Sequence, residues 1–453
     1  MDAGADEDVE ENKSTDYGKV ATAISNMQHR GIDIAFPLIN EAGFDFKPDE
    51  KNNRIIYSLK AINGIGDDVV RQIMEYRPYK NFDDFLIRMY DTKIIKTSQV
   101  IQLIKAGAFM DSGSREETMM YFIKTCIVST VNKLGLNQFG RIMELDEKYS
   151  FMDQEVYQGV RHRYFKEYVL SDAFLVEKHI DKGKKVPKAG YHDRYYKLDK
   201  DAMNFFQQYY SEDSVVSVEN ESFIISEKKF IKENDKLIQP LRDWMNDTQT
   251  IEEYNRCNLL EAWEKYAKGT VSKWEMDSLS IYITEHELAH MQNDLYGVVN
   301  YFDLPEEPVV VDYYTKNIKQ VLNGVEVRTR KKFPIYNIVR LAGTVIDKNK
   351  DRHTVTLLTT TGVVTLKLNS GLFIYYDKEI SKVNDNGVKQ KIEKSWFTRG
   401  NKIIVSGYRN GDQFRVYKYA NGIYKHSCCL ITQVNKDGTI QANMERVSIE
   451  EWQ

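Results

Sequence analysis

Residues 59–73 read LKAINGIGDDVVRQI, and in this stretch two apolar segments meet at Gly64-Ile65-Gly66. Glycines on either side of one apolar residue permit a tight turn with positive φ, so backbone N–H groups can approach a phosphate closely. Asp67 is expected in the first turn of the next helix, whose N-terminal dipole would add to anion binding. The pattern predicts a helix-hairpin-helix, and a plain glycine-rich turn between packed helices is the alternative.

A second apolar segment with a glycine turn follows at residues 99–114, QVIQLIKAGAFMDSGS. Its predicted helix runs into Gly107-Ala108, and Lys105 lies beside the turn. Two hairpins in tandem are a more specific signal than one, because a pseudo-symmetric pair can follow both strands of a duplex minor groove. The residues that we expect at DNA phosphates in these hairpins are Lys60, Asn63, Gly64, Ile65, Gly66, Lys105, Gly107 and Ala108.

The length and composition predict a soluble protein of several domains. With 453 residues and 42% hydrophobic content the chain can bury two to four cores. It has no apolar run long enough to cross a bilayer, and its acidic start does not resemble a secretory signal, so we expect a cytoplasmic protein without a membrane partner. Its 4 cysteines form neither a CxxC zinc motif nor a disulfide framework, which predicts reduced thiols.

The net charge of −4 is unevenly distributed along the chain. Residues 1–16 have seven acidic side chains against one lysine, and this stretch is predicted to be a disordered tail. Residues 331–418 have 17 Lys/Arg against 7 Asp/Glu, a net charge of +10. A basic module in a nearly neutral protein suggests a polyanionic partner.

Short alternating segments from Ile335 onward predict an OB-type β-barrel over residues 329–445. Cations for the phosphate backbone and aromatic side chains for stacking are what a single-strand binder needs, so we expect single-stranded DNA here. A barrel that serves only for packing is the alternative. The candidate contact residues are Lys348, Lys350, Arg352, Tyr375, Tyr376 and Arg409, with Phe373, Trp396 and Tyr408 as further aromatic candidates.

Several stretches resemble one protein family in their letters, order and spacing. They are GIDIAFPLIN at 31–40, DFKPDEKNNRIIYSLKAINGIGDDVVRQI at 45–73, FDDFLIR at 82–88, LIKAGAF at 103–109 and LSIYITEHEL at 279–288. The chain resembles the C-terminal half of the alpha subunit of bacterial DNA polymerase III, the family C replicative polymerase, including phage-encoded or split versions. The resemblance covers residues 17–115 and 270–445, and it implies a role in DNA replication with an OB domain near the end.

The predicted fold class is α+β multidomain, with a tandem helix-hairpin-helix region, a helical middle and a C-terminal OB-type β-barrel. The predicted segments are a disordered acidic tail at 1–16, a connector resembling the end of the polymerase fingers at 17–58, tandem hairpins at 59–115, a mostly helical connector at 116–328, the OB domain at 329–445 and a C-terminal tail at 446–453.

The sequence does not contain the paired carboxylates with which a polymerase transfers nucleotides. Nucleotidyl transfer needs two Mg²⁺ ions held by paired carboxylates on a rigid sheet. The family supplies them on a PDIDxDF-like palm strand that does not occur here, and Asp33 and Asp45 are isolated acids next to turns. We therefore expect no catalytic residue and no cofactor in this chain, with Mg²⁺ only at the palm of a partner or missing segment. The chain would then be a natural split half or a fragment, and the catalytic N-terminal part of the polymerase its partner.

His286 to His290 spell HELAH, which on a helix would place two imidazoles and a glutamate for a zinc metallopeptidase. The continuation that completes such a site is missing, and Glu306 and Glu307 lie between prolines. The resemblance makes His286 a structural histidine. We expect no metal site, and the zinc peptidase stays as an alternative function.

Gln292, Leu295 and Tyr296 resemble the peptide by which replication proteins bind the sliding clamp. A stretch of five residues is easily matched by chance, and Leu295 and Tyr296 could equally be core residues. The clamp is therefore a possible partner beside duplex and single-stranded DNA. A non-catalytic scaffold that links polymerase and clamp is the third alternative.

Overall fold

The computed structural model describes residues 16–154, 156–178, 193–219, 221–322, 325–383, 388–418 and 426–447. The predicted disordered tail lies outside these residues except for Asp16. The chain divides into two compact units, one comprising Met1–Met119 with Gly269–Gln453 and the other Met120–Lys268. Among the described residues, no helix combines the length and the apolar character that crossing a bilayer requires.

The first unit begins with helix α1, which starts at Tyr17 because the side chain of Asp16 accepts a 3.0 Å hydrogen bond from the amide of Lys19. A three-stranded sheet in the order β1-β3-β2 follows, with β1 and β3 parallel. The elements of this part are α1 Tyr17–His29, β1 Asp33–Ala35, β2 Lys47–Asp49, β3 Arg54–Ile56, α2 Asp67–Glu75, α3 Phe82–Phe85, α4 Thr97–Lys105 and α5 Arg115–Phe122.

The segment before Gly64 differs from the helix that the sequence predicts. Residues 59–64 form consecutive turns, in which the amide of Ile62 donates to the carbonyl of Leu59 and that of Ile65 to Ile62, both at 3.2 Å. Strand β3 ends at Ile56, so too few residues remain for a helix to nucleate before the glycines. The apolar side chains are nevertheless buried as expected.

The second unit contains more β-structure than a helical connector would have. The four strands that the structure describes in it form one antiparallel sheet in the order β4-β5-β7-β6, because β-branched and aromatic runs in this region pack better on a pleated surface than on a helix. The elements are α6 Phe139–Tyr149, α7 Val156–Ser171, β4 Phe174–Lys178, β5 Asp193–Lys197, α8 Lys200–Tyr209, β6 Val215–Glu219, β7 Ser222–Ser226, α9 Glu227–Leu237, α10 Gln239–Asn246 and α11 Thr248–Tyr266.

The chain then returns to the first unit. The sequence predicts a mostly helical connector as far as residue 328, but a long two-stranded ribbon occupies its last part. The elements are α12 Val271–Leu279, α13 Asn293–Tyr296, the ribbon strands β8 Val310–Leu322 and β9 Val325–Tyr336, then β10 Val339–Asn349, β11 Thr354–Thr359, β12 Gly362–Lys367, α14 Ser370–Asp377, β13 Ile380–Val383, β14 Lys389–Glu393, β15 Lys402–Asn410, β16 Gln413–Val416, β17 Cys428–Val434 and β18 Ile440–Asn443.

The C-terminal strands form the predicted barrel. The order β10-β11-β12-β16-β15 closes by pairing of β15 with β10, and β12 runs parallel to β16 while the other pairs are antiparallel. Alternate residues of β11 and β12 point into a core that includes Leu341, Leu366 and Phe414. Helix α14 follows the third strand of the barrel. The α+β fold class with an OB-type barrel is therefore confirmed.

Candidate nucleic-acid interface

The first glycine turn is exposed and has unused backbone donors. Gly64 adopts a φ of +80°, a left-handed conformation that favours glycine. Gly66 is extended and caps α2, which has no side-chain cap. The side chain of Ile65 is buried beneath the turn, while the amides of Gly64 and Gly66 have no acceptor among the described residues. These two N–H groups and the open first turn of α2 can bind an anion.

Helix α12 holds this turn in place through hydrogen bonds. The amide of Asn63 donates to the carbonyl of Ser278 at 2.8 Å, and its side-chain amide donates to the backbone carbonyl of Asp277 at 3.2 Å. The buried hydroxyl of Tyr57 donates to the carbonyl of Leu279 at 2.7 Å, and burial raises the pKa of this phenol, which keeps it a neutral donor. Asn63 therefore positions the turn, because both its backbone amide and its side-chain amide are hydrogen-bonded to α12.

The charges beside the turn partly cancel. Lys60 lies 3.1 Å from the Asp67 carboxylate and 4.8 Å from the centre of the Phe44 ring. Asp67 and Asp68 occupy the first turn of α2, where they compete electrostatically with a bound phosphate. Lys105 is half-buried, and desolvation lowers the pKa of its ammonium group against the opposing effect of Asp277. Backbone donors therefore offer more to a phosphate here than side-chain charge does.

The second glycine turn has a different environment. The amide of Ala108 donates to Leu103 and that of Gly107 to Ile104, both at 3.0 Å, which is the Schellman pattern that ends a helix. Both residues are buried, and a Cβ on Gly107 would lie 2.7 Å from the ring of Phe36. The backbone N–H groups predicted to contact DNA are therefore used to cap α4.

The cations predicted in the barrel fall into two groups. Lys350 and Arg352 are exposed in the turn between β10 and β11, and their side chains have no hydrogen bond or ion pair within the described parts of the chain. Lys348 forms an ion pair with Asp377 of α14. Arg409 donates to the carbonyl of Leu304 at 2.8 Å, and only 14% of its side chain is exposed. Lys350 and Arg352 are thus the two that can reach a phosphate.

Most of the predicted stacking residues belong to the barrel core. Phe373 and Tyr376 lie three residues apart on α14 and face the barrel, with exposures of 3% and 6%. Trp396 is fully buried, and Tyr408 is half-buried with its ring 4.4 Å from that of Tyr336. The expectation that Phe373, Tyr376 and Trp396 are exposed was wrong, because these rings fill the barrel. Tyr375, which points away from the core, is 51% exposed.

The three residues of the clamp-like peptide are not equally accessible. The side chain of Gln292 donates to the carbonyl of Asp437 at 2.6 Å, and the hydroxyl of Tyr296 accepts from the amide of Ile440 at 2.9 Å. Both contacts attach the peptide to the β17–β18 hairpin. Leu295 is 61% exposed. A clamp contact stays a prediction, and only Leu295 points outward for it.

The HELAH segment does not form the helix that a zinc site of this type requires. The Nδ1 atom of His286 accepts from the amide of Leu288 and its Nε2 donates to the carbonyl of Leu358, both at 3.0 Å. His290 is exposed and lies 3.3 Å from Glu285. Within the described ranges, no group of three or more His, Cys, Asp or Glu is arranged to hold a metal ion. His286 thus has a structural position, as the resemblance implies.

Sequence reasoning missed two parts of this surface. One is α12, which positions the first turn through backbone carbonyls and so leaves no signature in its side chains. The other is the ribbon β8–β9, where the alternation of Arg328, Arg330 and Lys332 was a readable signal of period two.

The comparisons with known proteins agree with these features. A family described as a helix-hairpin-helix motif matches residues 31–119. Over 98% of its length, the chain is 40% identical to the probable DNA polymerase YorL of Bacillus subtilis (strain 168) and to the DNA-directed DNA polymerase of Bacillus phage SPbeta. The DNA polymerase III subunit alpha of Campylobacter jejuni is 26% identical over 70% of the chain. The chain spans 32% of the first two proteins and 25% of the third.

Proposed function

We propose that this chain, a relative of the DNA polymerase III alpha subunits, is a DNA-binding portion of a replicative DNA polymerase. In this proposal the helix-hairpin-helix region holds the template-primer duplex, and the barrel holds single-stranded template. The similarity to named DNA polymerases over nearly the whole chain and the helix-hairpin-helix match support it.

The observation that carries the proposal is the exposed turn at Gly64 and Gly66. Its two unused amides precede a helix of nine residues whose first turn is uncapped. An anion bound there would satisfy N–H groups that no protein acceptor in the described chain satisfies. Because backbone donors read no base, the contact would position duplex DNA without sequence preference.

The barrel adds a second surface of different chemistry. Lys350 and Arg352 supply charge at the turn between its first two strands, where OB folds commonly bind oligonucleotides. Tyr375 supplies an exposed ring. Charge for the backbone together with a flat face for a base supports contact with a single strand.

Binding of labelled duplex and single-stranded DNA, measured as log K against log salt, tests this function. The variant Gly66→Val places a branched side chain in open space at a φ of −85°, which valine accepts without strain, and would screen the amides. We expect duplex affinity to fall by about tenfold, the cost of losing a hydrogen bond to a charged group, for every sequence alike.

Gly140→Val is the matched control, because Gly140 is also exposed with no neighbour within 4 Å and lies in α6 of the second unit. Its duplex affinity should equal that of the unmodified chain. A chain without salt-dependent DNA binding would overturn the proposed function. Normal duplex binding by Gly66→Val would remove the turn from it.

A further inference from the structure

The strands β8 and β9 form a ribbon that pairs with no other described strand. Strand β8 has 13 residues, and at about 3.3 Å per residue it extends for ~40 Å. The ribbon leads directly into the first strand of the barrel, and its base is closed by a 2.8 Å hydrogen bond from the amide of Asn337 to the carbonyl of Val309. A long ribbon that pairs with no other described strand has backbone edges and faces available for a ligand.

Most of the charged residues on this ribbon are basic. Between Val310 and Tyr336 there are two acidic residues, Asp312 and Glu326, against six basic ones, a net charge of +4. The basic residues are Lys316, Lys319, Arg328, Arg330, Lys331 and Lys332.

The register places these cations on both faces and concentrates them on one. The cross-strand pairs Thr315–Lys332, Asn317–Arg330 and Lys319–Arg328 alternate along the ribbon and therefore share a face, which we call the cationic face. Consecutive cations of β9 on this face are two residues apart, about 6.6 Å. That spacing is comparable to the separation of neighbouring phosphates along one nucleic-acid strand.

The cations on this face are open to solvent. Arg328, Arg330 and Lys332 are exposed and have no ion pair with a carboxylate within the described ranges. Lys319 lies directly opposite Arg328, and on the other face Lys316 lies opposite Lys331. Arg328, Arg330 and Lys332 therefore form a row of exposed cations that attracts a polyanion.

We propose that the cationic face of the ribbon is a further DNA-binding site, which lies in a groove of duplex DNA and contacts its phosphates. The proposal rests on the proposed function and adds a third contact to it. A two-stranded ribbon has the cross-section that the major groove admits, and ribbons of this kind are a known means of contacting duplexes.

The side chains on this face favour a duplex over a single strand. The six residues of the three pairs are cationic or small and polar, and the one aromatic residue that the register places on the same face of β8, Tyr313, lies beyond them toward the base of the ribbon. Single-strand binders depend on aromatic rings that stack on successive bases, whereas duplex phosphates need only charge and hydrogen bonds. The site therefore contributes affinity and position to the duplex without selecting its sequence.

The test is the triple variant Arg328→Gln, Arg330→Gln, Lys332→Gln in the full chain. Each phosphate contact contributes about 0.9 to the salt slope for duplex DNA, so we expect the slope to fall by roughly two to three units. At ~0.15 M salt this corresponds to roughly 100-fold weaker duplex binding. The slope for single-stranded DNA should stay unchanged, and the melting temperature should not fall, because repulsion is removed.

A matched control removes the same charge elsewhere. Lys228, Lys232 and Lys236 form an exposed row on α9 of the second unit, so their triple Gln variant should keep the duplex slope. The variant Arg328→Lys, Arg330→Lys, Lys332→Arg keeps every charge and should keep the slope as well.

An unchanged duplex slope in the ribbon variant, or a fall equal to that of the α9 control, would overturn the inference. So would a loss confined to single-stranded DNA, which would make the ribbon a single-strand arm. If the unmodified chain binds duplex and Gly66→Val weakens it while the ribbon variant does not, the inference fails alone. If the unmodified chain does not bind duplex, the proposed function fails too.

Discussion

At the scale of single residues, the buried ion pair between Arg115 and Glu275 joins the end of the hairpin region to α12. The Arg115 Nη2 atom lies 2.8 Å from Glu275 Oε1, and the two side chains are 4% and 0% exposed. Glu275 also accepts from the amides of Ile283 and Thr284 at 2.7 and 3.0 Å. This carboxylate therefore organises the segment that follows α12 as well as the hairpin.

Arg115→Met should destabilise the protein severely, because it leaves a buried carboxylate without its cation. We expect the free energy of unfolding to fall by about 3–5 kcal/mol, measured by denaturant titration. The exposed pair Lys391–Glu379 is the control, where Lys391→Met should leave the free energy of unfolding nearly unchanged, because solvent screens an exposed ion pair. Equal effects of the two variants would contradict the structural role, and Glu275→Gln added to Arg115→Met should recover part of the loss.

His286 predicts a pH dependence of stability. Burial, with a minor contribution from Lys402, lowers the pKa of His286 from 6.5 to about 4, while the hydrogen bond to Leu358 opposes the shift. The ring of Tyr282 lies 4.4 Å away, and Glu287 of the same segment is paired with Lys402. The imidazole is therefore neutral in the folded protein at neutral pH.

Because the folded pKa lies below the unfolded one, the unfolded chain takes up the proton first as the pH falls. The contribution of His286 to stability is complete above about pH 6.5 and should be lost progressively toward pH 4. His286→Gln should flatten this part of the stability profile, measured as melting temperature against pH. Parallel profiles for the two proteins would show that this histidine does not titrate as expected.

At the scale of elements, the cations in and beside the turn between β10 and β11 have two different roles: one stabilises the fold, and two can bind a ligand. Lys348 connects β10 to α14 through Asp377, whereas Lys350 and Arg352 have no such partner in the described chain. We expect Lys348→Gln to lower the melting temperature and to leave the single-strand salt slope unchanged. Lys350→Gln with Arg352→Gln should do the reverse, with a slope lower by about 1.4, since single strands contribute ~0.7 for each phosphate.

Differential scanning fluorimetry and salt titrations of the two variants check this prediction together. Lys382→Gln on β13 offers a control for the loss of one lysine outside the turn. A full single-strand slope in the Lys350 and Arg352 variant would exclude the turn from the interface. The same loss of slope in Lys348→Gln would show that the ion pair opens to bind DNA.

Elements with strong local signals could be predicted from the sequence. The start of α2 at Asp67 follows from the glycine before it, and the barrel strands follow from their alternation. Whether a glycine turn is exposed to a ligand or covered by the protein could not be predicted in the same way. Gly64 and Gly107 both follow apolar segments and both have positive φ, yet Phe36, distant in sequence, covers only the second.

The candidate site, like the elements, could be predicted from the sequence only where the signal is local. Composition indicates that the barrel is basic. It does not indicate that Lys348 forms an ion pair with a carboxylate 29 residues further along the chain, whereas its neighbour Lys350 forms none in the described chain. Such pairings depend on tertiary contacts between α14 and β10. The ribbon was missed because a connector rich in charge was read as helical, although its cations alternate with period two.

At the scale of the whole molecule, the two compact units have the same net charge, and the first unit concentrates its positive charge in one part. Residues 120–268 have 23 Lys/Arg against 25 Asp/Glu and the other unit has 40 against 42, a net charge of −2 each, but within the latter residues 269–453 have 25 against 21, a net charge of +4. The exposed glycine turn, the barrel cations and the ribbon all belong to the unit of Met1–Met119 with Gly269–Gln453. The proposed DNA contacts therefore all lie in one of the two units.

The second unit has the cores needed to fold alone. One apolar cluster includes Ile142 and Leu241, another includes Phe206 and Phe230, and all members of both lie within residues 120–268. Helix α7 contributes to each of them, with Val160 in the first cluster and neighbouring residues in the second. A shared helix couples the two clusters, so they should unfold together.

We therefore predict that residues 120–268, expressed alone, fold cooperatively and do not bind DNA. Circular dichroism should show a helical spectrum and one sigmoidal melting transition, because removal of the rest of the chain takes no residue from either cluster. Val160→Asp should abolish that transition, since it puts a charge into a fully apolar site. Duplex titrations should show no salt-dependent binding where the full chain binds. A fragment without a transition would mean that the second unit depends on the first, and a fragment that keeps the affinity of the full chain would move the DNA contacts away from the turn and the ribbon.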